Sequence, residues 1–119
     1  MKSSMFLGLG AILAAISVAG GAFASHALKD RLTERALEIF ETGTRYQMYH
    51  SLALLLVALF LSQSQTGQSF LIGAGIAFLV GITLFSGSLY ALALSGIKWL
   101  GAITPLGGVA FLIGWGCLV

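Results

Sequence analysis

The chain is short of almost everything a water-soluble enzyme uses: one cysteine, one proline, two histidines, and only six basic and four acidic side chains in 119 residues. With Cys117 alone, one protomer can build no disulfide, no cysteine-pair metal site and no thiol relay, so the residue reads as a small apolar one. Charged residues make up 8% of the chain, too few to cover the surface of a soluble domain. They are also confined. Lys29, Asp30, Arg31, Glu34, Arg35, Glu38, Glu41 and Arg45 fall in one stretch, which leaves Lys2 and Lys98 for the rest. The formal net charge of +2 and the pI near 9.0 imply no nucleic-acid partner, because bases and acids offset each other within that stretch. What remains is 58% apolar, with a mean hydropathy of +0.99. The implied solvent is the lipid bilayer.

A spanning helix needs about 20 predominantly apolar residues, because hydrocarbon offers backbone amides no water to bond. Four stretches qualify, at about 5–24, 48–62, 70–94 and 99–119. The second is short unless Tyr46 and Tyr49 sit among the headgroups, and the fourth carries Trp99 and Trp115, rings favoured at membrane boundaries. Short polar connections at 62–69 and 95–98 predict antiparallel hairpins. The expected fold is all-α: a single integral membrane domain over 1–119, a four-transmembrane-helix bundle with one interfacial amphipathic helix between spans 1 and 2.

That amphipathic helix is expected over about 28–45. On a 3.6-residue period Leu28, Leu32, Ala36, Ile39 and Phe40 form one stripe, opposite Arg31, Glu34, Arg35, Glu38, Glu41 and Arg45. Arg31 with Glu34, Arg35 with Glu38 and Glu41 with Arg45 stand at neighbour spacings, and Gly43 with Thr44 is expected to mark the bend into span 2. Lys29, Arg31, Arg35, Arg45 and Lys98 share one side of a four-span chain, against Lys2 on the other. By the positive-inside rule the amphipathic helix is cytoplasmic and both termini lie outside the cell (inner) membrane. The GAFAS string at 21–25 resembles a signal-peptidase site after Ala24, but a retained first span is the expectation.

Helices in lipid associate through small residues at four-residue spacing. Ala11, Ala15 and Ala19 form one such ladder. Gly73, Ala77 and Gly81 form another, continued by Gly87, Ala91 and Ser95, and Ala110 with Gly114 marks the last helix. GLG at 8–10 and GAG at 73–75 lie inside apolar helices, so neither reads as a phosphate loop. Ser86, Ser88 and Thr83 read as hydroxyls bonded to a carbonyl one turn back or on a neighbour, in preference to a solute pathway. Thr104 and Pro105 either start the last helix proper or kink it.

The strings GAFASHALK (21–29), ETGTRYQMYHSLALL (41–55), LFSGSLYALAL (84–94) and ITPLGGVAFLIGW (103–115) resemble the signature segments of the family catalogued as domain of unknown function 423. That family takes in bacterial inner-membrane proteins and a eukaryotic relative, transmembrane protein 256. The resemblance covers nearly the whole chain. It implies a four-span fold, and it carries over no activity and no catalytic residue. Ser25 stands where the family pattern has glycine, a small-for-small change.

The candidate chemistry is a cluster of His26, Arg45, Tyr46, Gln47, Tyr49 and His50, brought to one membrane face by the expected topology. His26 and His50 with Glu41 are weak candidates for a metal, and His26 and His50 for a bis-histidine haem. Arg45 and Tyr46 could supply donors to a quinone or lipid headgroup. No cofactor is expected. No serine stands at a known nucleophile spacing from a base, so the chain does not read as an enzyme. No carboxylate lies in a span, as proton-coupled transport would require. The preferred function is therefore an accessory, assembly or interaction component, working with a membrane protein partner or as a homo-oligomer. A small oligomeric channel or transporter is the first alternative, and a membrane cofactor-binding protein the second.

Overall fold

The computed structural model of the chain describes residues 2–119, and all regular structure among the described residues is helical. Four helices follow in order: α1 (Lys2–Leu28), α2 (Glu34–Gln63), α3 (Gln68–Ser95) and α4 (Lys98–Leu118). α1, α3 and α4 are each long and apolar enough to cross a membrane. α2 differs because Gln47, His50 and Ser51 interrupt it before its apolar run from Leu52 to Leu61.

Local chemistry explains where the helices start and stop. Thr33 caps α2, its Oγ1 accepting the Ala36 N–H at 3.1 Å, and Glu34 places a negative charge in the first turn, where the helix dipole favours it. Gly96 closes α3 at φ 72°, a left-handed conformation that costs glycine nothing. α4 begins as a 3-10 turn over Lys98–Ala102, and Pro105 stands at the start of its α-helical part, Thr104–Leu118, where a missing N–H removes no bond. Proline thus starts the helix proper. The expected span limits lie within a few residues of α1, α3 and α4.

The interfacial helix needs correcting. No separate element occupies 28–45: Leu28 ends α1, residues 29–33 form the turn, and α2 continues through Gly43 and Thr44 without a bend. An unbroken helix keeps the backbone paired, and the Tyr90 ring lies over Gly43 where a side chain would stand. The stripe expected to face headgroups is folded inward. Phe40 packs with Ala24, Leu28 and Ala93, and Leu32, Ala36, Ile39 and Tyr90 close around them. Of the three expected ion pairs only Arg35–Glu38 forms among the described residues, at 3.5 Å between exposed side chains, because Arg31 lies in the turn and Arg45 instead donates to Thr42 Oγ1.

The main core holds Phe6, Leu54, Val57, Phe78, Ile82 and Phe111. Glycines let these rings in: Gly75 lies under Phe6, Gly81 under Phe111 and Gly114 under Phe78, while Gly107 meets the backbone of Phe85. Gly73 approaches Cys117, and Ala77 is half-buried. Ala11, Ala15, Ala19, Gly87 and Ala91 are exposed. The contact face of α1 is a different one, through Phe6, Gly10, Ser17 and Ala24, because Ser17 is drawn inward by a bond to α2. The outside is apolar on every helix, with Leu7, Ile12, Leu52, Leu56, Phe70, Ile76, Leu112 and Ile113 exposed. Contiguous apolar exposure on this scale is untenable in water.

Gly107→Ala is expected to destabilise the bundle by about 1–3 kcal/mol, since its Cβ would press on backbone that cannot turn aside. Gly108→Ala, in open space one residue on, should leave the melting midpoint in detergent unchanged.

Candidate functional site

Buried polarity in this molecule follows one strip of α2, where Gly43, Thr44, Gln47, His50 and Ser51 recur at helical spacing. Each must find its partner within the protein, and each does. Gln47 is central: its Nε2 donates to the Leu13 carbonyl of α1 at 2.8 Å, and its Oε1 accepts from the Tyr90 hydroxyl of α3 at 2.6 Å. One side chain therefore clasps three helices. Ser17 Oγ donates to the Thr44 carbonyl at 2.5 Å and Ser86 Oγ to the Gly43 carbonyl at 2.7 Å, so α1 and α3 each hold α2 at adjacent residues. Ser86 closes a π-helical stretch of α3, Ile82–Ser86, an irregularity of a kind frequent at functional positions. Across to α4, Ser88 Oγ and Thr104 Oγ1 are 2.6 Å apart.

His50 lies one turn deeper. Its ring stacks on Phe111 with centroids 3.5 Å apart and planes 6° from parallel. Trp115 Nε1 can only donate, and it does so to His50 Nε2 at 3.1 Å. That nitrogen is therefore the acceptor. The proton of the neutral ring must sit on Nδ1, which donates to the Tyr46 carbonyl at 2.7 Å. Among the described residues no buried side-chain nitrogen or oxygen is left without a hydrogen-bond partner.

Residues 20–108 match the family described as "Protein of unknown function (DUF423)". The chain belongs to this family. It is 48% identical over 111 residues to the UPF0382 membrane protein YwdK of Bacillus subtilis, covering 93% of this chain and 89% of that protein. It is 46% identical over 115 residues to a UPF0382 membrane protein of Staphylococcus epidermidis, covering 97% of this chain and 92% of that one. A Staphylococcus aureus relative, UPF0382 membrane protein SAB0533, is 44% identical with the same two coverages. No solved structure matches the chain. The DUF423 match takes in Gln47, His50, Ser86 and Tyr90, while Leu13, Ser17 and Trp115 lie outside it. With its relatives named membrane proteins and its outer face apolar, the chain is a helical membrane protein.

The residues of the expected cluster differ in exposure and bonding. His26 is exposed in the last turn of α1, whereas His50 is buried in the bundle with both ring nitrogens engaged. Glu41 is half-buried and Arg45 exposed on α2, and no group of three or more His, Cys, Asp or Glu gathers among the described residues. The two histidines thus stand in different surroundings, one exposed and one hydrogen-bonded inside the bundle. The Tyr46 ring packs 4.7 Å from Phe85 and 5.5 Å from Tyr49 and remains partly exposed. Trp115, expected at a membrane boundary, donates to His50 and stays partly exposed near the end of α4. Thr83 Oγ1 bonds back to the Leu79 carbonyl, the local pattern expected for it. Sequence reasoning missed Ser17, Ser51 and Tyr90. The uncharged polar residues recurring at three- and four-residue intervals through the middle of α2 could have pointed to the strip they form.

Gln47→Leu is expected to cost about 1–3 kcal/mol by stranding the groups it bonds. A double-mutant cycle with Tyr90→Phe, read by unfolding in detergent, should give a coupling of about 0.6–1.7 kcal/mol. A second outcome concerns the imidazole: ¹⁵N NMR of His50 should report a proton on Nδ1 alone, and Trp115→Phe should weaken that preference without reversing it, because the Tyr46 carbonyl still accepts from Nδ1.

Proposed function

We propose that the chain crosses the inner membrane four times and acts by interaction, as an accessory or assembly component, not as an enzyme. α2 makes the fourth crossing. At 30 residues it is about 45 Å long, against about 30 Å of hydrocarbon, so its charged first turns stand clear of the bilayer while its polar strip is turned into the bundle. Lys29, Arg31, Arg35, Arg45 and Lys98 then share the cytoplasmic side, with both termini outside. This orientation rests on charge counting.

The observation that carries the reading is the contrast between the two kinds of polar group. Those inside all have a hydrogen-bond partner within the protein, some across helices and some within their own. The charges are gathered at one end of α2 and in the turn before it, with a single ion pair among the described residues. That end, from Lys29 to Arg45, is the surface available for docking a membrane protein partner or a second copy. A channel in an oligomer is the weaker reading, because Ser86 and Ser88 are already bonded within the protomer and leave Thr83 as the exposed hydroxyl of the three.

In a Cys117→Ser background, cysteines at Arg31 and Lys98 should react with an impermeant thiol reagent only in inverted vesicles, and one at Gln65 only from outside. The opposite pattern would reverse the topology. A photo-crosslinker at Arg31 should give a discrete protein adduct in intact cells, whereas one at Leu112 should not. Movement of a solute into liposomes by the purified chain alone would contradict the interaction role.

A further inference from the structure

Four charged side chains of α2, Arg35, Glu38, Glu41 and Arg45, line a cleft of about 460 Å³ that Leu89 of α3 helps to close. Their mutual pairing is slight. Arg35 and Glu38 meet at 3.5 Å with side chains 80% and 61% exposed. Arg45 makes one hydrogen bond, to Thr42 Oγ1 at 3.2 Å, and the Glu41 carboxylate has no ion pair among the described residues. Residues three and four apart share a helix face, so Glu38, Glu41 and Arg45 continue directly into Tyr49, Leu52 and Leu56, all three exposed. Along this face, from the apolar part of α2 outward, the order is hydrocarbon, an aromatic ring with a hydroxyl, a cation, then two carboxylates.

An aminophospholipid has the complementary order: acyl chains, glycerol esters, a phosphodiester, then a primary ammonium. We propose that this cleft is a headgroup site for such a lipid, with the phosphate on Arg45, the ammonium on Glu41 and Glu38, and a tail along Leu52 and Leu56. The proposal rests on α2 crossing the bilayer with its charged end at the surface. A guanidinium binds a phosphodiester through paired N–H groups, and the carboxylates of Glu41 and Glu38, one and two turns farther out, accept from an ammonium that carries N–H donors. A headgroup ending in glycerol leaves those carboxylates without a cation, and a trimethylated one has no N–H to give. Because Arg45, Glu41 and Glu38 are the groups engaged, the turn from Lys29 to Thr33 stays free for a protein partner.

Native mass spectrometry of the full chain in mild detergent tests this, with phosphatidylethanolamine, phosphatidylglycerol and phosphatidylcholine as probes. The ethanolamine lipid should be retained about tenfold more tightly than either of the others, the size of one charge-assisted hydrogen bond. Arg45→Gln should lower its retention about tenfold, and Glu41→Gln should erase the preference over phosphatidylglycerol while leaving phosphatidylglycerol bound. Exchanging the two charges, Glu41→Arg with Arg45→Glu, keeps the net charge and should abolish the preference. Equal retention of the three lipids by the wild type, or a preference that survives the exchange, would overturn the proposal. So would displacement of the lipid by an equal concentration of free phosphoethanolamine, since the site would then take the soluble headgroup. Sidedness plays no part in a detergent measurement, and thiol labelling does not depend on headgroup, so either reading can fail alone.

Discussion

Gln47 sits where three helices meet, and its amide is satisfied only while all three stay in place: Leu13 accepts from one end and Tyr90 donates to the other. In hydrocarbon there is no water to substitute for either partner. Burial of apolar surface, the dominant drive in water, contributes little between helices already surrounded by lipid. The polar strip of α2 therefore fixes register, while phenylalanine rings seated over glycines provide the close contact. Both devices use α2 or α3 as one side. α1 and α4 attach from the flanks, through Ser17 onto Thr44 and through Trp115 onto His50.

How far the sequence foretells this depends on which residues are asked. α1, α3 and α4 announce themselves as long apolar runs, and composition alone places them in lipid. α2 was legible only in halves. Its charged turns and its apolar run have opposite solvents, so reading by hydropathy divides them at Gly43, and nothing in one dimension tells that the Tyr90 ring will cover that glycine. The contact face of α1 was hidden for another reason. Small residues recur on it in more than one register, and spacing cannot choose Gly10 and Ser17 over Ala11, Ala15 and Ala19. The choice is made by Ser17 reaching a carbonyl of α2, a contact that exists only in three dimensions.

The candidate site followed the same logic. His26 and His50 look equivalent in the sequence because both fall near a span boundary. α2, running straight, carries His50 into the bundle, where Phe111 and Trp115 close on it, and leaves His26 in the open last turn of α1. On the outward face of α2 stand Glu41, Arg45 and Tyr49, the two charges without each other as partners. The molecule thus separates two uses of polarity. Neutral groups are turned inward and bonded, and the charged groups of α2 are held in its first turns, available to whatever meets the protein there.

A spin-label scan along α2 from Glu34 to Gln63 in liposomes, read by collision with oxygen and with a water-soluble nickel complex, tests the central claim most directly. An unbroken 3.6-residue period should run through Gly43, with nickel access down to Arg45, oxygen access at Leu52, Leu56 and Leu59, and neither at Gln47, His50 and Ser51. A phase break at Gly43 and Thr44, or nickel access along the polar strip, would contradict a continuous helix that turns its polar face into the bundle.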